Sequence, residues 1–181
     1  MSKHYGEPVH SHGLETTDSL QQLSCHAEES LALLQFKESF IIDKSASRSK
    51  VGYPKVSSWK PAAGGNNSCC LWDGVECDEM TGHVVGINLS NSYLYGSFDS
   101  NSRLFSLLNS LQELDVAQCN FSNSLVPSAL GNLRQLTYLD ISANKFGGPI
   151  PDSLENLTQL TMFRVSTSSL TAPIPSWLGK L

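Results

Sequence analysis

Four consecutive segments of this chain repeat one pattern of leucines, and no other feature limits its fold so strongly. VVGINLSNSYLYGSF begins at Val84, LQELDVAQCNFSNSLVP at Leu111, LTYLDISANKFGGPIP at Leu136 and LTMFRVSTSSLTAPIP at Leu160, so the starts lie 27, 25 and 24 residues apart. Each reads L-x-x-L-x-L-x-x-[N/C/S]-x-[L/F], with valine, isoleucine or phenylalanine replacing some leucines. Positions 1, 4 and 6 enter a shared core, while positions 3, 5 and 7 alternate outward on a short strand. One such unit cannot bury its own apolar face, and stacking on neighbours does so instead. The pattern therefore predicts an α/β, right-handed solenoid with a parallel concave sheet, its four repeats filling 84–181. Prolines recur at one phase after the strands, in Gly148-Pro149-Ile150-Pro151 and Ala172-Pro173-Ile174-Pro175, where a fixed φ suits a turn. Ser128–Leu133 and Ser153–Leu157 then read as short helical segments on the convex side.

Residues 25–83 form a different unit. Ala27 to Phe40 reads as a helix with an apolar face of Leu31, Leu33, Leu34, Phe36 and Phe40. Glu28 and Glu29 suit its positive end. Residues 43–58 read as a loop, followed by Trp59, a Gly/Asn-rich turn and CCLWDGVEC with Trp72. Four of the five cysteines, Cys25, Cys69, Cys70 and Cys77, fall in this unit, and Cys119 stands apart at an inward repeat position. An even cluster beside an odd residue suggests two disulfides and one inert buried thiol. A metal site with His26 or His83 is the alternative, but the spacings of 44, 1 and 7 lack the paired short intervals of zinc sites. Residues 1–24, with His4, His10 and His12, read as a disordered leader.

The formal charge of −5, without a basic run, gives no electrostatic footprint for nucleic acid. No stretch approaches the ~20 apolar residues of a membrane helix. No phosphate loop, nucleophile elbow or paired catalytic carboxylate is found, and no cofactor or metal is expected. Asp115 and Asp140 sit at equivalent outward positions one repeat apart, but an open concave sheet is expected to lack the pocket that a glycosidase acid needs. Four N-x-[ST] sequons, at Asn66, Asn88, Asn120 and Asn156, agree with a secreted glycoprotein. Asn66 and Asn156 are the expected sites, and a glycan on Asn88 would cover the entrance to the concave face.

The order Cys25, Ala32-Leu33-Leu34-x-Phe36-Lys37, Ser58-Trp59, Cys69-Cys70-x-Trp72-x-Gly74-Val75-x-Cys77 and Thr81-Gly82-His83-Val84-Val85 resembles the N-terminal cap of plant leucine-rich-repeat proteins. The G-x-I-P tails are similar to the plant-specific repeat subclass. The likeness covers residues 25–181 and is strongest to receptor-like proteins, while receptor kinases and polygalacturonase-inhibiting proteins share the same parts. It implies bridges Cys25–Cys69 and Cys70–Cys77. Three departures stand out. The polar first residues hold no secretory leader, so the natural start would lie upstream or the gene product is truncated. No segment of residues 1–181 reads as a C-terminal cap, membrane helix or kinase domain. Only Asn144 is an asparagine at the ninth repeat position, where Ser92, Cys119 and Ser168 stand in the others, and the first and last repeats should be less regular for it.

The resemblance implies a non-enzymatic binding segment of a receptor acting at the extracellular side of the plasma membrane in defence or development. Its partners would be a peptide, protein or cell-wall-derived ligand and a co-receptor, with a membrane entering only through regions beyond Leu181. The alternatives are a soluble inhibitor of a cell-wall hydrolase and a truncated product without a role of its own. Binding is expected on the outward strand positions Gln112, Glu113, Asp115, Ala117 and Gln118, Thr137, Tyr138, Asp140 and Ser142, and Thr161, Met162, Arg164 and Ser166, with Tyr138 and Met162 adjacent as a hot spot. The last rung, Leu160, Phe163, Val165 and Ile174, should face water and drive end-to-end association.

Overall fold

The structure is a computed structural model that describes residues 24–61, 68–98, 103–122, 124–166, 169–170 and 175–180. Its elements in chain order are α1 (Ala27–Lys37), β1 (Phe40–Ile42), β2 (Val75–Cys77), β3 (Val84–Asn88), β4 (Leu94–Gly96), α2 (Leu104–Leu107), β5 (Glu113–Asp115), β6 (Tyr138–Asp140), β7 (Gly147–Gly148), β8 (Met162–Arg164) and β9 (Ser169–Leu170). Short 3-10 segments at Ser128–Asn132, Asp152–Asn156 and Ser176–Lys180 occupy the opposite side of the repeats.

The main sheet runs β2-β3-β5-β6-β8. Its four repeat strands are parallel, with Gly86, Glu113, Tyr138 and Met162 in one row and Asn88, Asp115, Asp140 and Arg164 in the next row but one. These are repeat positions 3 and 5, the rows superposed by the leucine pattern. Between them Ile87, Leu114 and Leu139 are buried, and so are Leu89, Val116 and Ile141 at position 6. A parallel ladder of three-residue strands is weak by itself; the stacked apolar rows hold it.

The turns after the strands carry their own signature. Asn91, Gln118 and Ala143, each at repeat position 8, have φ of 56°, 55° and 54°. A left-handed residue costs most side chains about a kilocalorie or more per mole, so something must over-determine the turn. In the third repeat Asn144 does: its Oδ1 accepts from the Cys119 amide at 2.8 Å, and its Nδ2 donates to the Val116 and Ile141 carbonyls at 2.9 and 3.0 Å. One buried amide thus satisfies backbone groups of two repeats. Cys119 replaces it one rung earlier with a thiol donating to the Leu89 carbonyl at 3.4 Å. Burial pushes that thiol up to about 11, which keeps it protonated and inert.

The cap closes the first edge of the sheet. β2 pairs antiparallel to β3, covering edge groups that would otherwise recruit another strand. Disulfides join Cys25 to Cys69 and Cys70 to Cys77. Trp59 and Trp72 stack with centroids 5.7 Å apart, and Trp59 Nε1 donates to the Asp73 carbonyl at 3.0 Å. Glu29 is more than a dipole partner: it is buried, with Oε2 accepting from the Val84 amide at 3.0 Å and Oε1 2.9 Å from His83 Nδ1. It thereby satisfies the first amide of β3.

Three expectations need correction. The helix ends at Lys37 rather than Phe40, which begins β1 on β4, and Leu31 is 56% exposed. The buried stripe is Glu29, Ala32, Leu33 and Phe36, a narrower face than the leucines suggested. The loop over 43–58 contains 3-10 turns at Lys44–Ala46 and Lys55–Ser58. The last rung is partly covered: Leu160 is buried, Phe163 and Val165 are half-buried, and buried Trp177 lies 6.3 Å from the Phe163 ring. Ile174, Ser168 and the leader 1–23 lie outside the described residues.

Candidate ligand-binding face

The outward rows of the main sheet form one continuous surface. Gln112, Glu113, Gln118, Thr161, Met162, Arg164 and Ser166 are exposed, and Asp115, Thr137, Tyr138 and Ser142 are half-buried. Thr161 Oγ1 donates to the Thr137 carbonyl, and Thr137 Oγ1 to the Gln112 carbonyl, a polar ladder along one margin. Two expected members are not accessible. Ala117 is buried, and Asp140 is only 5% exposed. Asp140 does occupy an outward position, but Arg164 on the next rung reaches back across it, 3.8 Å from Oδ2, and the Tyr138 hydroxyl donates to the same oxygen at 3.4 Å. The Arg164 guanidinium also lies 5.7 Å from the Tyr138 ring centroid, within cation–π range. Tyr138, Asp140 and Arg164 therefore form one platform, with the carboxylate as its buried support.

At the other end the surface is hollow, contrary to the open sheet expected. A groove of about 420 Å3 is lined by Glu76, Gly86, Asn88, Glu113, Asp115 and Tyr138 among others. The absence of a side chain at Gly86 leaves its floor low; a Cβ there would meet Glu76 at 3.1 Å. Burial pushes the Asp115 carboxyl above its ordinary value, and the Asp140 charge adds to this, while its bond from the Ala117 amide opposes it. Burial likewise raises the Tyr138 hydroxyl, helped by Asp115 and Asp140. The groove is thus an acidic hollow beside an aromatic and cationic platform.

The cap supplies part of this surface, which repeat phase alone could not reveal. Glu76 on β2 forms one wall. Lys55 reaches from its 3-10 turn to donate to the Asn88 carbonyl at 3.0 Å and to Asn88 Oδ1 at 2.7 Å. Burial lowers the Lys55 ammonium group, partly offset by the charge of Asp115. Gly74, with φ of 77°, lets the cap chain pass so closely that a Cβ would fall 2.1 Å from the Asn88 carbonyl oxygen. The one sequence hint was Gly74 between Trp72 and Val75.

The sequons fall in different surroundings. Asn156 is exposed on its 3-10 segment, and Asn88 is exposed at the end of β3. Asn120, one of the sequon asparagines, is buried, with Oδ1 accepting from the Ser122 amide, which disfavours a glycan there. Asn66 lies outside the described residues.

A leucine-rich-repeat N-terminal domain model matches residues 26–78, and a leucine-rich-repeat model matches 110–133 and 135–157. Receptor-like protein 6 of Arabidopsis thaliana is 38% identical over 143 residues, covering 75% of this chain and 14% of that protein. Receptor-like protein Cf-9 of Solanum pimpinellifolium is 42% identical over 127 residues, covering 65% of this chain and 14% of that protein. The chain therefore spans about one-seventh of the length of these relatives. Among solved structures, a plant ice-binding protein superposes with a TM-score of 0.66 at 26% identity, covering 87% of this chain and 46% of that one.

Proposed function

This chain belongs to the plant leucine-rich-repeat receptor-like proteins, and we propose that it supplies the cap-proximal part of an extracellular ligand-binding surface. Binding rather than catalysis is the role read here, at the outer side of the plasma membrane. Among the described residues no helix is long and apolar enough to cross a membrane, so attachment would come through other regions. The observation that carries the reading is the platform of Tyr138 and Arg164 held in register over Asp140, with Met162, 43% exposed, beside it. An aromatic ring, a guanidinium and a thioether on adjacent rungs supply the residue types that dominate binding hot spots. The acidic hollow beside it, lined by Glu76, Glu113 and Asp115, repels a ligand of negative charge from this face. A secreted peptide or protein fits this chemistry better than an acidic pectin fragment does. A co-receptor would complete the complex, as a second subunit contacting ligand and solenoid together.

Alanine at Tyr138 or at Arg164 should weaken retention of peptides from plant extracellular fluid by about tenfold, the loss of one hot-spot side chain. Thermal melts should shift little, because neither side chain fills the core. Loss of stability in both variants, with peptide retention unchanged, would contradict the reading.

A further inference from the structure

Asn88-Leu89-Ser90 places an N-glycosylation sequon inside the acidic groove rather than beside it. The side-chain geometry of Asn88 is fixed by chemistry. Its Oδ1 accepts from Lys55 Nζ at 2.7 Å, Ser90 Oγ at 2.7 Å and the Ser90 amide at 3.2 Å. An ammonium and an amide N–H can only donate, so the oxygen faces them and Nδ2 takes the other side. Among the described residues no hydrogen bond engages Nδ2, the atom that carries an N-linked sugar. The other described sequons differ: Asn120 is buried, and Asn156 lies on the 3-10 side, away from the sheet.

We propose that Asn88 carries an N-linked oligosaccharide which lies over the groove, masks Glu76, Glu113 and Asp115, and confines ligand contact to the Met162–Arg164 end of the face. The modification rests on the extracellular placement proposed above, because it needs a lipid-pyrophosphate-linked oligosaccharide as donor. Asn88 Nδ2 attacks the anomeric carbon of the first sugar. An N–C bond forms, the C–O bond to pyrophosphate breaks, the lipid pyrophosphate leaves with the electron pair, and the amide gives up one proton. The acceptor is the chain before folding. Lys55 and Ser90 then hold the finished amide by its oxygen, so the bulky glycan has one rooted direction.

The test is the full chain made with a host secretion signal in plant cells. Glycopeptide mass spectrometry reads occupancy at Asn88 and Asn156. Carbodiimide-driven amidation with glycine ethyl ester then reads carboxylate access, before and after an endoglycosidase trims the glycans of the same folded protein to their first sugar. Asn88 should be occupied, and trimming should raise labelling of Glu76, Glu113 and Asp115 several-fold, with exposed Asp152 unchanged. Because trimming acts on folded protein, the readout does not depend on how a sequon variant folds. Unmodified Asn88, or equal labelling before and after trimming, overturns the proposal. A sugar on Asn156 beside a bare Asn88 would leave the extracellular reading standing while this one falls.

Discussion

Replacing Cys25 and Cys69 together by serine is expected to lower the unfolding free energy by about 4 kcal/mol, from the loop entropy released over their separation. The bridge spans 44 residues and carries α1, the 3-10 turns at Lys44–Ala46 and Lys55–Ser58, and Trp59 within its loop. Without it the cap is still held to the repeats by Glu29 at the Val84 amide, by the β2–β3 and β1–β4 pairings and by the rings of Phe36 and Phe40. The Cys70–Cys77 bridge closes only 7 residues, so the corresponding double serine variant should lose less, about 2–3 kcal/mol. Urea titrations of the three proteins read both values from the shift in midpoint. Equal midpoints for the two double variants would mean that loop closure is not what the cap gains from its bridges.

The second large effect is expected at Phe121. Its ring is fully buried and lies 5.0 Å from Phe98, 5.0 Å from Phe146 and 5.6 Å from Phe40. Phe98 in turn meets Phe36 at 5.4 Å. The rings form a spine that runs from the cap helix through the first three repeats. Phe121→Ala should cost about 3–5 kcal/mol, the usual range for emptying a buried aromatic site. Leu125→Ala, at an exposed position four residues on, should stay within about 0.5 kcal/mol. A thermal or urea unfolding series that gave both variants the same stability would refute the spine.

The rows of the solenoid were legible because the leucine period sets both strand phase and register. Leu114 and Leu139 pair in the sheet as they align in sequence. What escaped depends on neighbours rather than on phase. Asp140 sits at an outward position, yet a longer side chain on the next rung covers it, and nothing local to Asp140 reports Arg164. Leu31 belongs to an apolar run, but α1 turns it to solvent because Ala32, Leu33 and Phe36 already fill the contact. Gln118 and Ala143 adopt left-handed turns that their residue types do not advertise; the bonds around Asn144 impose the second. Asn120 matches the sequon pattern, yet the turn that carries it buries its side chain. The groove was missed for the same reason: one wall of it, Gly74, Val75 and Glu76, belongs to the cap, outside the repeat grammar.

The central claim, that ligand is read by the outward rows of the sheet, is most directly tested by photo-crosslinking. A benzophenone amino acid at Met162 on the sheet, and separately at exposed Asn132 on the 3-10 side, would be activated in plant extracellular fluid. A crosslinked peptide or protein recovered through Met162 and not through Asn132, and lost when Arg164 is also alanine, is the expected result. The same products from both positions, or products from Asn132 alone, would contradict it.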